Sequence, residues 1–214
     1  MIFLTQKRNA FTMIELVFVI VVIGILAALA LPRIDRDLRQ GAADNILSAI
    51  RYTQHLALND DKTDPFNANW QQELWTIRFQ TDGSFYTISS NLDHGANVDH
   101  DEAALDPING KYMYSSDSTI GDDESPNIFI AKRYGVNSVE FKVGGADATE
   151  HIAFDHLGRP FKSGIYSNLN NTYAGYMSAN CNITVQFVDD TIDDLIITIE
   201  KETGYAYVIG YEDS

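Results

Sequence analysis

The pattern of apolar and polar positions changes abruptly about thirty residues into the chain. From Phe11 to Leu31 the sequence holds 21 residues with a single charged side chain, that of Glu15. At about 1.5 Å per residue, a helix of this length spans roughly 30 Å, the thickness of a bilayer's hydrocarbon core. The pattern predicts a membrane helix, or the apolar part of a signal sequence.

A second helical pattern follows Pro32, with one apolar stripe between charged positions. The stripe consists of Ile34, Leu38, Ala42, Ile46, Ala49, Ile50, Thr53 and Leu56. This spacing predicts that one helix continues from about Phe11 to Leu58, apolar all round in its first half and amphipathic in its second. Gly24 and Pro32 are the predicted kink positions, because glycine is a poor helix former and proline lacks an amide donor.

The rest of the chain alternates between short β-patterned runs and turns. The predicted strands are Glu73–Phe79, Ser84–Ile88, Asn127–Ala131, Ser138–Val143, Glu150–Phe154, Asn182–Val188, Leu195–Glu200 and Tyr205–Tyr211. Turns at Thr81–Gly83 and Lys201–Gly204 predict hairpins between the first two and the last two strands. Residues 91–126, rich in Asp, Gly, Asn and Ser, predict a long loop with a short helix at Asp101–Leu105.

These elements predict the α+β fold class, with a long N-terminal helix packed against a C-terminal antiparallel β domain. The predicted organisation has four parts. They are a basic leader at residues 1–10, a membrane or filament half of the helix at 11–32, an amphipathic half at 33–60, and an acidic β-rich head domain at 61–214.

Charge restricts the partners of the second part. The sequence has 15 basic and 30 acidic residues, a formal net charge of −15. Residues 32–214 alone hold 13 of the bases and 29 of the acids and carry −16. Because nucleic-acid binding depends on Lys and Arg side chains that neutralise phosphates, this composition argues against a nucleic-acid partner and suits an exported domain.

Glu15 is the unusual residue of the apolar run. An ionised acid at the centre of a membrane helix costs on the order of 3 kcal/mol, so such residues usually have a partner or a function. If the chain were cut between Ala10 and Phe11, the new amine would lie about one helical turn before Glu15. The carboxylate of one copy could then pair with the amine of the next. The alternative is a Glu at the membrane edge that reaches the headgroups.

This N-terminal motif resembles a known family. The leader ending in Lys7-Arg8-Asn9-Ala10, the sequence Phe11-Thr12-Met13-Ile14-Glu15-Leu16 and the apolar run with Gly24 and Pro32 are similar to the N-termini of type IV prepilins and type II secretion pseudopilins. The resemblance implies cleavage by a prepilin peptidase between Ala10 and Phe11, and N-methylation of Phe11. It also implies assembly into a filament by packing of the N-terminal helices. The family nearly always has Gly where this chain has Ala10.

The resemblance also implies a location and partners. It places a single-pass protein in the inner membrane with its C-terminal domain in the periplasm, where it contacts other pilins or pseudopilins and an inner-membrane assembly platform. The charge rule does not fix this orientation, since Arg33, Arg36 and Arg39 offset Lys7 and Arg8. A secretory signal peptide cut after Ala30 is the alternative interpretation of the same stretch.

Two short segments of the β-patterned part resemble a narrower group. The turn from Phe154-Asp155 to Gly158-Arg159-Pro160 and the closing Thr203-Gly204 hairpin are similar to minor pseudopilins and minor pilins of the GspH/FimT type. Some members of that group bind DNA through basic residues around the final glycine. Here Tyr205-Ala206-Tyr207 follows, without an arginine, so that property is not transferred.

Candidate metal ligands cluster in the predicted loop. Hard cations such as Ca²⁺ take carboxylate oxygens, and the calcium candidates are Asp99, Asp101, Asp122 and Asp123. Two imidazoles with a carboxylate could hold zinc, but His94 and His100 match no ligand spacing of a known zinc motif. We expect no cofactor, with calcium as the remaining candidate.

Catalytic and thiol chemistry find little support in the sequence. A hydrolase would need His151, Asp155 and a serine in one pocket, and no nucleophile elbow, HExxH motif or phosphate loop is present. Cys181 is the sole cysteine, which excludes an intrachain disulfide. We expect a buried small apolar side chain, and the alternative is a reactive or intermolecular thiol.

The sequence therefore predicts a filament subunit and not an enzyme. The first prediction is a minor pseudopilin of a type II secretion-like system that supports protein export. The alternative from the binding class is a minor pilin of a type IV pilus or DNA-uptake filament. The alternative from the enzyme class is a membrane-anchored periplasmic hydrolase.

Overall fold

The computed structural model describes residues 12–95, 97–162 and 173–210, except for the side chains of residues 27–37 and of Tyr173. The chain divides into two compact units, residues 1–37 and 38–214. Ala10 and Phe11, the predicted processing residues, lie outside the described residues.

The helix α1 spans Met13–Asn59. Between Met13 and Leu26 its large apolar side chains are all exposed, from 37% at Val22 to 87% at Met13. From Leu38 onward it is amphipathic, and the predicted stripe is buried or packed against the core at each position whose side chain is described. The predicted helix is confirmed at residues 13–26 and 38–59. That these two parts form one long helix stays a prediction.

The second unit contains the strands. In chain order they are β1 (Trp75–Phe79), β2 (Tyr86–Ser89), β3 (Val136–Val143), β4 (Ala146–Asp147), β5 (His151–Phe154), β6 (Pro160–Phe161), β7 (Cys181–Phe187), β8 (Leu195–Ile199) and β9 (Ala206–Val208). They form a four-stranded sheet of order β2-β1-β5-β6 and a five-stranded sheet of order β4-β3-β7-β8-β9. All pairings are antiparallel, which confirms the α+β class with antiparallel β structure.

Both predicted hairpins are confirmed. In the first sheet, Ile77 of β1 pairs with Ile88 of β2 on one side and with Ile152 of β5 on the other. In the second sheet, β8 and β9 pair across the Lys201–Gly204 turn. The two-residue strands β4 and β6 were not predicted, because two residues are too few to show an alternating pattern.

One predicted strand is wrong. Residues 127–131 belong to a 3₁₀ turn at Pro126–Ile128 and to a short helix, α2 (Ile130–Tyr134). The Ser125 side chain accepts a hydrogen bond from Asn127 N, and Gly135 ends α2 with a left-handed φ of 71°. A short buried apolar run is compatible with a strand or a helix, so here the flanking start and stop signals decide.

The predicted loop at 91–126 is an ordered connection. It contains a 3₁₀ turn at His100–Glu102 in place of the helix predicted at Asp101–Leu105. Isolated bridges join Ser89 to Ala103, Leu105 to Tyr112, and Tyr112 to Glu124. Backbone pairing therefore holds this segment against β2.

The second half of α1 and both sheets share one apolar core. Ala42, Ile46 and Ile50 of α1 are buried in it, each fully or almost fully. Phe79 of the first sheet and Phe141 of the second meet there, with ring centroids 5.6 Å apart. The amphipathic stripe of α1 therefore packs in the same core as both sheets.

Candidate functional site

Thr12 and Glu15 cap the described N-terminus of α1 through hydrogen bonds in both directions. Thr12 precedes the first helical residue, and its Oγ1 accepts a hydrogen bond from Glu15 N at 3.3 Å. The Glu15 carboxylate in turn accepts from Thr12 N at 3.4 Å and from Thr12 Oγ1 at 3.5 Å. Threonine followed three residues later by glutamate is the capping-box pattern, and an acid in the first turn also interacts favourably with the helix dipole.

This cap gives Glu15 a partner within its own chain, which the sequence analysis missed. The signal was the sequence Thr12-Met13-Ile14-Glu15, which has threonine and glutamate at the spacing of a capping box. The three contacts are long, and the Glu15 carboxylate is exposed, so it has room for a further donor. Pairing with the amine of Phe11 in a neighbouring copy stays a prediction, because Phe11 lies outside the described residues.

The helical surface after this cap is apolar on every side. Burying one large apolar side chain is worth about 1.5–3 kcal/mol, so a run of such side chains left exposed favours contact with other molecules. Within the described part of the chain, no helix is long and apolar enough to cross a membrane. The predicted span at residues 11–32 extends beyond the described side chains and stays a prediction.

The predicted kink positions lie within the assigned helix. Both Gly24 and Pro32 fall inside α1, and the side chain of Pro32 is not among those described. A Cβ added at Gly24 would meet nothing within 4 Å, so no described contact requires glycine there. The kink therefore stays a prediction.

In the head, α1 holds together the two turns that carry the narrower resemblance. Gln54 Nε2 donates to Gly158 O at 2.8 Å and to Thr203 O at 2.9 Å. Gly158 and Gly204 both have left-handed φ values, 78° and 68°. A Cβ on Gly204 would lie 2.2 Å from Gly158 O. A residue other than glycine at position 204 would therefore force the two turns apart.

A buried carboxylate fixes the first of these turns. Asp155 is 1% exposed and accepts hydrogen bonds from Leu157 N at 3.0 Å, Arg159 N at 2.8 Å and Arg159 Nε at 2.8 Å. The Tyr176 hydroxyl donates to the same carboxylate at 2.7 Å. Asp155 thus organises its own turn, and His151 lies buried in β5. These contacts give Asp155 a structural role and offer no support for a hydrolase.

The calcium candidates are not gathered into one site. The Asp99 carboxylate caps the 3₁₀ turn that follows it, and Asp123 Oδ2 lies 3.3 Å from His100 Nε2. The side chains of Asp101 and Asp122 are exposed. Among the described residues, no group of three or more His, Cys, Asp or Glu side chains could hold a metal ion.

Cys181 lies at the start of β7, in the core. Its side chain is fully buried, which confirms the predicted burial. Burial raises the pKa of the Cys181 thiol to about 12. The thiolate, which is the reactive form, is therefore disfavoured in the folded protein.

Comparison with known proteins identifies the N-terminal signature. Residues 5–31 match the model of the prokaryotic N-terminal methylation motif, the hallmark of type IV pilin-like and pseudopilin proteins. The match covers Ala10, Phe11 and Glu15 and confirms the resemblance seen in the residues. No curated protein and no solved structure matches the chain significantly.

Proposed function

We propose that this protein is a minor pseudopilin of a type II secretion-like system, a filament subunit that supports protein export. The observation that carries the proposal is the N-terminal methylation motif at residues 5–31. This motif supports a type IV pilin-like protein; the minor, secretory role is the further step proposed here.

The proposed assembly uses the two features at the start of α1. Cleavage between Ala10 and Phe11 creates a cationic amine, and N-methylation leaves that amine charged. Glu15 of one subunit pairs with the amine of the next, and the pairing is favoured because either charge left unpaired among apolar helices would be costly. The exposed side chains from Met13 to Leu26 then pack against neighbouring helices and leave the lipid.

The head domain supports the role of a minor subunit. The turn at residues 154–160 and the Thr203-Gly204 hairpin, which resemble minor pseudopilins and minor pilins, are both bound by Gln54. Residues 32–214 carry −16, a charge suited to a domain that stays soluble outside the membrane. We propose that this head lies in the periplasm and contacts other pseudopilins or exported cargo.

The second candidate is a minor pilin of a type IV pilus or DNA-uptake filament. The methylation motif favours it equally, since pilins and pseudopilins share that motif. Its DNA-binding form predicts a band shift that weakens steeply with salt, because such binding releases counterions from the phosphates. A salt-sensitive shift by the purified full-length protein would favour the pilin; no shift at low salt would leave the secretory proposal in place.

The first test is the mature N-terminus of membrane-extracted protein. The chain is expressed with and without a prepilin peptidase, and its N-terminal peptide is measured by mass spectrometry. The proposal predicts a chain that begins at methylated Phe11 only when the peptidase is present. Ala10→Gly, which restores the residue usual in the family, is the matched variant and should be cut at least as efficiently.

Each alternative outcome has its own meaning. A chain that begins at Leu31 would identify an ordinary secretory signal peptide and overturn the pilin-like proposal. An uncut wild-type chain beside a processed Ala10→Gly chain would show that Ala10 blocks this peptidase. Uncut chains in both cases would leave a plain membrane anchor and contradict the assembly described above.

A further inference from the structure

A cavity of about 440 Å³ lies between the outer face of the first sheet and the connection at residues 91–126. Arg78 of β1 and Thr87 and Ser89 of β2 line it from the sheet, and Asp99 and Tyr114 line it from the connection. Sites for small ligands have volumes of about 300–1,000 Å³, so this cavity is large enough to hold one. The proposed filament assembly does not use it.

Strand alternation turns two hydroxyl side chains of β2 toward this cavity. Successive side chains of a strand point to opposite faces, and Ile88, between Thr87 and Ser89, is fully buried in the core. Thr87 and Ser89 therefore lie on the face opposite to the core. Arg78 lies on the same face, since it is the register partner of Thr87 in β1.

Backbone hydrogen bonds hold the opposite wall in place. Ile88 N donates to Met113 O at 3.0 Å, next to Tyr114, and Ser90 N donates to Glu102 O at 3.1 Å. The Asp99 side chain caps the 3₁₀ turn at His100–Glu102. Because these contacts fix both walls, the cavity is formed by the folded chain itself, as is usual for small-molecule sites.

Two hydroxyls that line the cavity have no hydrogen-bond partner among the described residues. They belong to Thr87, which is 9% exposed, and to Ser89, which is 1% exposed. Neither oxygen belongs to the fully enclosed unpaired atoms of the structure, so both are accessible from the cavity. Thr76, on the same face, differs, since its Oγ1 donates to Leu74 O at 2.9 Å. Buried polar groups are nearly always paired, so each of the two hydroxyls favours a ligand that supplies a donor or an acceptor.

The rest of the lining selects the chemistry of that ligand. Gln80 and Asn97 contribute amides, and Ser115 contributes a further hydroxyl. Among the described lining residues, Arg78 and Asp99 are the charged ones, and their opposite charges cancel. A lining of hydroxyls and amides without net charge matches a neutral ligand whose own groups both donate and accept hydrogen bonds.

We propose that this cavity binds a neutral sugar. Sugar hydroxyls donate and accept hydrogen bonds as the hydroxyls of Thr87 and Ser89 do, and the Tyr114 ring offers apolar surface beside them. The proposal does not depend on filament assembly, because every residue of the cavity belongs to one head domain.

The test titrates glucose, galactose, mannose and N-acetylglucosamine into the full-length protein. The detergent must have no sugar headgroup, since such a headgroup would compete for the cavity. Calorimetry measures affinity, and the NMR signal of the labelled Tyr114 ring, identified by its loss in Tyr114→Phe, reports the place of binding. We expect at least one of these sugars to bind saturably with a Kd below about 10 mM and to shift the Tyr114 signal. Absence of saturable binding by all four sugars in that range would overturn the proposal.

Two variants test the unpaired hydroxyls directly. Thr87→Val and Ser89→Ala each remove a hydroxyl that has no partner in the free protein, so the unfolding midpoint should not fall. Each should weaken sugar binding by about three- to tenfold, because one hydrogen bond to the ligand is lost. Thr76→Val is the matched control and should bind sugar as the wild type does, since the Thr76 hydroxyl bonds Leu74 O and lies outside the cavity lining.

The remaining outcomes separate this cavity from other places and other ligands. Wild-type affinity in both Thr87→Val and Ser89→Ala would place the sugar elsewhere and overturn the proposal. A lower unfolding midpoint of both variants would contradict the unpaired state of the hydroxyls on which the proposal rests. Glucuronate and glucosamine, an anion and a cation below neutral pH, are the charged counterparts of glucose. Tighter binding of either one than of glucose would contradict the charge balance of the lining and overturn the neutral class of ligand.

Discussion

Gly204 shows how closely two turns of the head approach each other. Its φ of 68° lies in the left-handed region, and its Cα faces Gly158 O and the Gln54 amide. Any side chain there would have to displace the carbonyl that Gln54 holds. Glycine at position 204 is thus required by the close approach of the two turns in this chain.

Gly204→Ala is predicted to destabilise the head strongly. Its Cβ would lie 2.2 Å from Gly158 O, so the turns must separate, at a cost of about 1–3 kcal/mol beyond the strain of a left-handed alanine. Gly145→Ala is the matched control, since its φ is 86° and nothing lies within 4 Å of the added Cβ. Urea unfolding of both variants measures the difference. Equal losses would show that the close approach contributes nothing.

Cys181 is predicted to make stability depend on alkaline pH. Its folded pKa is about 12, whereas an unfolded thiol titrates near about 8.5. Below the unfolded pKa the contribution is fully present. As pH rises above that value, the unfolded state loses its proton first and the free energy of unfolding falls.

The expected loss between pH 8 and pH 10 is about 1–2 kcal/mol more for the wild type than for Cys181→Ala. Urea unfolding of both proteins at the two pH values gives the comparison. Tyrosine titration affects both proteins alike and cancels. An identical pH dependence in the two proteins would contradict the burial described for this thiol.

At the scale of elements, the second half of α1 is the centre of the core. Its buried stripe contacts residues of both sheets, and Gln54 fixes two connecting turns to its surface. Local signals act in the same way at smaller scale, since Ser125 caps the 3₁₀ turn at Pro126–Ile128 and Gly135 ends α2. In this domain, capping residues set where a helix or turn begins and ends, and the buried face sets how it packs.

Ile46→Ala is predicted to cost about 2–5 kcal/mol, because it leaves a cavity at a position with no exposed surface. Leu58→Ala removes a comparable side chain from the same helix, but that side chain is 51% exposed, and the expected cost is below about 1 kcal/mol. Denaturant unfolding of the full-length protein in detergent measures both. Similar losses for the two variants would mean that the stripe is not the packed face.

At the scale of the whole molecule, the chain combines two units with opposite surfaces. The described part of the first unit exposes apolar side chains, and the second has an apolar core beneath an acidic exterior. The stability of the second unit and the proposed assembly through the first can therefore be measured separately. This separation makes the role of Glu15 testable.

Glu15→Gln is predicted to reduce filament assembly by about tenfold or more while head stability stays unchanged. Glutamine serves in a capping box as glutamate does, so this variant keeps the cap with Thr12 and removes only the charge. Assembly is measured as the fraction of protein in sheared or pelleted filaments. Glu15→Ala, which removes both cap and charge, is the companion variant. Normal assembly of Glu15→Gln would show that the cap alone suffices.

The sequence by itself determined the features that depend on residues close together in the chain. Alternation and turn residues predicted the two hairpins, period-four spacing predicted the buried face of α1, and residues 5–31 carried the processing motif. Local rules also contained the Thr12–Glu15 cap, because threonine and glutamate stand three residues apart at the start of α1. Such features depend on neighbours within a few residues, so they can be predicted from the sequence without knowledge of the tertiary structure.

Only the tertiary structure decided the contacts between distant segments. The pairing of β1 with β5, the hydrogen bonds of Gln54 to two turns, and the contact of Phe79 with Phe141 each join residues far apart in the chain. The strand predicted at 127–131 is wrong for a local reason, since an apolar run fits a strand or a helix and the flanking Ser125 and Gly135 signals decide between them. Long-range geometry has no signature in a single sequence, because many arrangements satisfy the same local preferences.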